Sequence, residues 1–472
     1  MLHQDRSLSI LLWLVAVGFF MQTLDATIVN TALPSMAQSL GESPLRMQSV
    51  VVAYSLAMAM LIPASGWIAD RFGARRVYLW AIVVFVLGSV LCALSSRLDV
   101  LVASRVVQGF GGALLLPVGR LVVLRTFPRE KFLQAMSFVA IPGLIGPLVG
   151  PTLGGWLVEV ASWHWIFLIN VPVGVLGCLA TLRYMPAIEG APVKRFDLTG
   201  YGLLAFGMVA LSLALDGLSG LGLRQAGVLV LMVFGLASLA AYWLHAVRRP
   251  DPLFSPHLFS VATLRIGLLG NLFARLGSSC MPFLIPLLLQ VSMGYSPMQA
   301  GLMMLPVALA GMSVKRVATP LIMRLGYRRV LVGNTLAVGL MMASFVFASP
   351  SEPLWLRIVQ LAVFGGVNSL QFTAMNTVTL KDLNHDMASS GNSLLSMVQM
   401  LAMGMGVAAA GAVLAAFTEF FGSGTAPQTL HAFQATFVCM GLVTVASAAI
   451  FAQLAPQERP HRGAAADADL EP

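Results

Sequence analysis

Residues 66 to 76, Gly66-Trp67-Ile68-Ala69-Asp70-Arg71-Phe72-Gly73-Ala74-Arg75-Arg76, place two glycines and four charges between two long apolar runs. Charge is costly in hydrocarbon, so such a cluster reads as a turn at a membrane surface that ties two spanning helices together. Gly66 and Gly73 are expected at tight turns. Asp70 is placed to cap or face a helix N-terminus in the opposite half of the chain, with Arg71, Arg75 and Arg76 as its partners.

Composition supports a bilayer as the solvent. The chain has 472 residues, of which 58% are hydrophobic and 10% charged, with a mean hydropathy of +0.85. No water-soluble globule is built that way. The net charge of +9 is spread in short clusters between apolar runs, which argues for membrane topology and against a nucleic-acid face. Cys92, Cys178, Cys280 and Cys439 stand alone in apolar runs, without the spacing of a metal site or a disulfide framework.

Runs long enough to cross about 30 Å of hydrocarbon begin near residues 9, 46, 77, 99, 133, 165, 198, 225, 263, 298, 329, 354, 388 and 432. The first passes straight into a polar motif without a small-residue cleavage site, so it reads as a retained helix. Basic residues collect in alternate connections, among them Arg71, Arg125, Lys194, Arg195, Arg248, Arg249, Arg324, Arg328, Arg329 and Lys381. The opposite connections hold only Arg46, Arg97, Arg224 and Arg357, an asymmetry that places both termini in the cytoplasm.

The segment Arg324-Leu325-Gly326-Tyr327-Arg328-Arg329 echoes Arg71 to Arg76, again before an apolar run, and has Met323 where the first copy has Asp70. Two related but unequal halves follow. Proline-rich polar linkers at 186–200 and 248–257 bracket two further helices. The expected organisation is an all-α integral membrane protein of about 14 helices: a six-helix bundle over 1–190, a two-helix insertion over 191–250, a second six-helix bundle over 251–455, and a cytoplasmic tail over 456–472.

Five stretches carry a family resemblance: Leu24 to Pro34 (LDATIVNTALP), residues 66–76, Arg105 to Gly112 (RVVQGFGG), the glycine-proline series 142–155, and Trp163 to Pro172 (WHWIFLINVP). In that order, and over almost the whole chain, the sequence resembles the major facilitator superfamily, and within it the 14-helix drug:proton antiporters. One departure is His164, where family members typically carry Arg. The resemblance implies a major facilitator fold, a bacterial inner-membrane location, and export in exchange for protons. It also implies that the 66–76 charges hold a cytoplasmic gate shut; a purely topological basic cluster would explain the arginines but not Asp70 or the glycines.

In the fifth apolar run Gly143, Gly146, Gly150 and Gly154 recur at helical spacing, with Gly155 beside them, and permit close approach of another helix. Pro142, Pro147 and Pro151 remove backbone donors and bend the run. Ordinary tight packing accounts for the pattern; the resemblance implies a seal between the halves typical of antiporters.

No phosphate-binding GxxxxGK[ST] loop is present, so the expectation is transport without a cofactor, driven by a proton gradient. Asp25 is the one carboxylate well inside an apolar run, and hydrocarbon disfavours the charged form of a carboxyl, which suits a proton carrier. At about 1.5 Å per residue, Asp25 lies about 24 Å from the inner start of its helix and Arg105 about 10 Å from the outer start of its own, so the two share a depth. Arg105, Gln108, Gly109 and Gly112 share a helix face. A purely structural ion pair is the alternative.

Arg275 sits mid-bilayer one turn after Asn271, with no intramembrane acid in the second half to neutralise it. It either binds an anionic ligand group or bonds to helix backbones. Met21, Gln22, Gln108, Asn368, Gln371, Asn392 and Gln399 are further candidates for a substrate cavity. Methionine is enriched in the second half, which suits either adaptable binding or membrane filling. The expected function is proton-coupled export of small amphipathic molecules by a monomer in the lipid bilayer, with no nucleic acid partner and no enzymatic activity. A proton symporter, or an exporter of one metabolite or organic anion, is the alternative.

Overall fold

The computed structural model describes residues 2–127, 129–187, 195–217, 225–422 and 425–455. The expected tail over 456–472, residues 188–194 of the first linker and Arg224 lie outside them. Among the described residues the chain is helical throughout, without a strand.

Thirteen of the described helices are long and apolar enough to cross a membrane, and the 32-residue helix Arg129–Val160 stands beside them. In chain order they are α1 (Leu2–Ile28), α2 (Pro44–Phe72), α3 (Ala74–Ala93), α4 (Leu98–Thr126), α5 (Arg129–Val160), α6 (Trp165–Tyr184), α7 (Leu198–Gly217), α8 (Gln225–Arg248), α9 (Ala262–Ser292), α10 (Pro297–Leu325), α11 (Tyr327–Phe347), α12 (Leu354–Leu380), α13 (His385–Phe421) and α14 (Ala426–Phe451). Helices α1–α6 form one six-helix bundle and α9–α14 a second; α7 and α8 pack chiefly on each other.

The 66–76 stretch is less of a loop than its charges suggest. Helix runs through Ser65–Phe72 and resumes at Ala74, so the break is Gly73 alone, at φ 86°. Gly66 lies inside helical backbone with open space where a Cβ would go, so its expected turn role is not realised. Gly326 repeats the break at φ 79° between α10 and α11. Only glycine takes such a backbone without strain, which explains why this residue survives in both copies of the echo.

Helices α2 and α10 emerge on the basic end of the molecule at these breaks, and the turns Gly41–Met47, Leu94–Arg97 and Met293–Ser296 mark the far end. The two ends are packed differently. At the far end one buried cluster joins both bundles, bringing Val29, Met36, Leu101 and Phe167 together with Met281, Leu288, Met304 and Phe433. Toward the basic end the buried clusters separate into one from the first bundle (Leu14, Tyr78, Val118) and one from the second (Ala318, Leu331, Met375). There the bundles keep contact along α2 and α13, flanked by α7, α8 and α9 (Ala59, Leu394, Met397, Met208, Tyr242, Leu268). Every described hydrogen bond between the bundles lies at the far end: Gln290 to the Thr31 carbonyl, Thr152 to the Gly301 carbonyl, and Ser296 and Met298 to Glu159. The conformation is therefore closed at the far end.

The insertion is anchored at its basic end by Asp197. Its nearly buried carboxylate accepts from His245 at 2.8 Å and from the Gly200 and Leu253 amides, with Arg249 at 3.5 Å. Burial alone would push this carboxyl up, but those hydrogen bonds and the His245 charge outweigh it and hold it below the usual carboxylate range. The anchor is thus present at neutral pH and lost only as pH falls through that lowered value.

Candidate functional site

Asp25 and Arg105 meet in a sealed pocket of the first bundle. Arg105 Nη1 lies 2.5 Å from Asp25 Oδ2, and both residues are 1% exposed. The guanidinium also donates to Gln108 Oε1 at 2.6 Å and to the Val50 carbonyl at 3.3 Å, and lies 4.2 Å over the Tyr54 ring. The second carboxylate oxygen accepts from Gln108 Nε2 at 2.7 Å and from Asn170 Nδ2 at 3.2 Å. Two charges in a dry interior persist only when paired and hydrogen-bonded on all sides, and breaking such a pair costs about 3–5 kcal/mol.

Four helices build this pocket around the α1 carboxylate. Gly88 and Gly111 let α3 and α4 approach until a Cβ on either would strike backbone. Gly109 and Gly112 admit Tyr54 from α2. Asn170 enters at the start of the helical stretch Asn170–Tyr184 in α6. Asn170, Ser89 and Tyr54 were not among the residues expected here from sequence. Asn170 does lie in the Trp163–Pro172 stretch, a usable signal, whereas Ser89 and Tyr54 carry none.

Gln108 belongs to this ion cluster and not to a substrate cavity. Met21 lies in the core of the first bundle, where it lines with Leu14, Tyr78 and Leu115 an apolar cavity of about 20 Å³, too small for a substrate. Gln22 is nearly buried, and its backbone carbonyl accepts from the Tyr54 hydroxyl at 3.4 Å.

The glycines of α5 divide by direction. Gly143, Gly146, Gly150 and Gly154 face α1, where an added Cβ would meet Phe19, Thr23, Thr27 and Ile28. The stripe therefore locks α5 to α1 within one bundle and does not itself seal the halves. The seam between halves uses the neighbouring face: a Cβ on Gly155 would fall on the Pro297 carbonyl, and one on Gly301 on the Pro151 carbonyl. Pro151 gives its carbonyl to the Thr31 hydroxyl at 3.1 Å, while Pro142 and Pro147 sit within the same helix.

Asp70 bonds to Arg125 of its own bundle at 2.6 Å, in place of Arg71, Arg75 or Arg76. Arg75 reaches the Leu182 carbonyl, and Arg71 and Arg76 are exposed. The contact expected of Asp70, a carboxylate against a helix N-terminus of the opposite half, is made at the other end by Glu159. Its Oε2 accepts from Ser296 Oγ at 3.0 Å and from the Met298 amide at 3.3 Å at the start of α10. Helix dipoles favour that placement.

In the second bundle Asn271 donates to the Gly267 carbonyl and Thr379, and accepts from Arg275 Nε at 3.0 Å. The Arg275 guanidinium stacks 4.0 Å over the half-exposed Phe372 ring, and its Nη2 is buried without a hydrogen-bond partner among the described residues. Asn368 and Asn376 flank Phe372 one turn away on α12, and Gln399 donates to Asn376 at 2.7 Å. Asn392 is partly buried on α13, its carbonyl accepting from Ser396. Gln371 points elsewhere: it bonds to Thr335 and Asn334 of α11 and is 2% exposed, so it is a packing residue of the bundle. His164 stacks on Trp163, outside the spans, and burial pushes its imidazole below the usual value.

Two helical bundles sealed to each other at the far end, an enclosed ion pair between helices, and fourteen long helices among the described residues define a polytopic membrane carrier. The chain belongs to the Major Facilitator Superfamily, which it matches over residues 15–407. It is 53% identical to MdtD of Serratia proteamaculans (strain 568), a protein named for multidrug resistance, over 94% of this chain and 93% of that one. It is 50% identical to MdtD of Pectobacterium atrosepticum over 96% and 97% of the two chains. Among solved structures it is similar in fold to a POT family transporter in complex with 5-aminolevulinic acid (TM-score 0.69, 17% identity, 94% and 95% covered). A D-xylose–proton symporter is similarly close (TM-score 0.67, 14% identity, 95% and 98% covered).

Proposed function

We propose that this protein exports small amphipathic molecules across the bacterial inner membrane in exchange for protons, using no cofactor. The basic end is the cytoplasmic one, with both termini there, and the far end faces the periplasm. Residues 1–190 and 251–455 rock against each other as a monomer, with 191–250 as an accessory insertion, and the 66–76 charges close the basic end when the far end opens. Asp25 carries the proton. What supports this reading best is the enclosed Asp25–Arg105 pair, since a buried, exchangeable charge pair is expensive to keep for packing alone. The relatives named for multidrug resistance support the substrate class. As a test, everted membrane vesicles acidified inside should accumulate ethidium, and collapse of the pH gradient should release it. Accumulation indifferent to that collapse would overturn the reading.

Arg275 favours a second reading, export of an organic anion. A guanidinium nitrogen with no hydrogen-bond partner among the described residues, beside an aromatic face, is a ready donor to a carboxylate. If so, Arg275→Gln raises the half-saturating concentration for a dicarboxylate such as succinate about tenfold or more, the worth of one charged hydrogen bond. Ethidium transport unchanged by the same substitution would separate the two substrate classes.

A further inference from the structure

The pair with Arg105 uses only one oxygen of Asp25, and the other belongs to a ring of groups that no ion pair requires. Gln108 Nε2 lies 2.7 Å from Asp25 Oδ1 and 2.8 Å from Ser89 Oγ. Asn170 Nδ2 lies 3.2 Å from the same two atoms. A primary amide has two N–H bonds, so each amide spans the carboxylate and the hydroxyl. Ser89 places its own O–H on the Phe85 carbonyl at 3.0 Å, leaving its two lone pairs for the two amides. All four groups are nearly or fully buried.

This ring satisfies one state of Asp25, the carboxylate, because Oδ1 accepts twice and Oδ2 accepts from Arg105. A proton bound at Oδ1 needs an acceptor instead, and a buried donor without one costs about 1–3 kcal/mol. Gln108 is not free to supply it. Its Oε1 already accepts from Arg105, and turning the amide over would set Nε2 against the guanidinium. Asn170 has no such restraint, because no described hydrogen bond holds its Oδ1. The other ionisable groups facing Asp25 are Arg105 of α4, Tyr54 of α2 and Cys92 of α3, the last with its thiol 3.7 Å from Gln108 Oε1.

We propose that Asn170 is a positioning residue of the proton cycle, an amide that turns over with the protonation of Asp25. Nδ2 donates to the carboxylate; after a proton arrives from water on the open side, Oδ1 accepts from the new O–H. Ser89 anchors both settings: its oxygen accepts from the amide nitrogen in one, and in the other its O–H turns from the Phe85 carbonyl to donate to the amide oxygen. Arg105 keeps its charge throughout, held by Gln108 Oε1, the Val50 carbonyl and the Tyr54 ring. This inference rests on Asp25 being the proton carrier.

Infrared difference spectra of the purified full-length chain across pH test it without a substrate. The carboxylic-acid C=O band that appears on acidification and is missing in Asp25→Asn belongs to Asp25. In Asn170→Leu, which keeps the branching at Cγ and removes the amide, that band should move to higher wavenumber as its O–H loses the acceptor. Asn170→Thr, whose hydroxyl both donates and accepts, should restore the position. Ser89→Ala should shift the band in the same sense and Ser89→Thr should not, so the idea stays testable if the Asn170 variants fail to fold. An Asp25 band at the same position in wild type, Asn170→Leu and Ser89→Ala overturns the proposal while leaving the carrier reading intact. Absence of any Asp25 band in the wild type overturns the carrier reading itself, and the proposal with it.

Discussion

Asp25→Asn is expected to reduce substrate-induced proton flux in proteoliposomes to the level of liposomes without protein. The substitution keeps the size of the side chain and an oxygen for Arg105, so the helices around the pocket can still assemble. What it removes is the one carboxylate among the described residues of the pocket. Arg105 would then be an uncompensated cation at 1% exposure, for which loss of the partner charge costs about 3–5 kcal/mol. Gln108 Oε1, the Val50 carbonyl and the Tyr54 ring recover part of that. The variant should therefore be folded but less heat-stable than the wild type. A pH-sensitive dye inside the liposomes reports the flux, and flux equal to wild type would show that the proton travels elsewhere.

The second large effect is expected at Gly155. Its hydrogen atoms face the Pro297 carbonyl across the seam between bundles, where a valine side chain would have to displace backbone. Backbone on a packed helix yields poorly, and overpacking of this kind costs about 1–3 kcal/mol. That penalty falls only on the conformation closed at the far end, so it acts as a conformational bias of about 5- to 150-fold. A reporter cysteine replacing Gln290, which bonds across the same seam to the Thr31 carbonyl, measures it. With Gly155→Val added, the rate at which a membrane-impermeant maleimide labels position 290 should rise within that range, and export should fall in step. Gly154→Val makes the contrast, because Gly154 meets Ile28 of its own bundle. It should damage folding without favouring the open far end, and equal labelling with and without Gly155→Val would refute the assignment of the seam.

Charge inside hydrocarbon was the most legible feature of the chain. Asp25 and Arg105 stand out because each is alone in an apolar run, and equal depth was enough to bring them together. Their uncharged partners were not legible, since Asn170 and Ser89 look like the polar residues that cap or kink many helices. Glycine spacing announced close approach along α5 but not the partner, because a bare helix face fits any neighbour of the right shape. Gln371 shows the same limit: its period suited a cavity, yet its face turned toward α11. Asp70 shows another. It rests on Arg125 of its own bundle, while Glu159 makes the helix-terminus contact at the opposite end.

By itself the sequence determined the solvent, the helical class, the fourteen apolar runs, the repeated glycine break and the pairing of Asp25 with Arg105. Each of these follows from local chemistry: the cost of charge in lipid, the length needed to span it, and the backbone that only glycine accepts. Tertiary structure alone decided which end is sealed, which face of α5 makes the seam, and which amides surround Asp25. Those depend on how separate helices rotate and meet, and hydrophobic patterning leaves helix rotation nearly free in a chain apolar on every side.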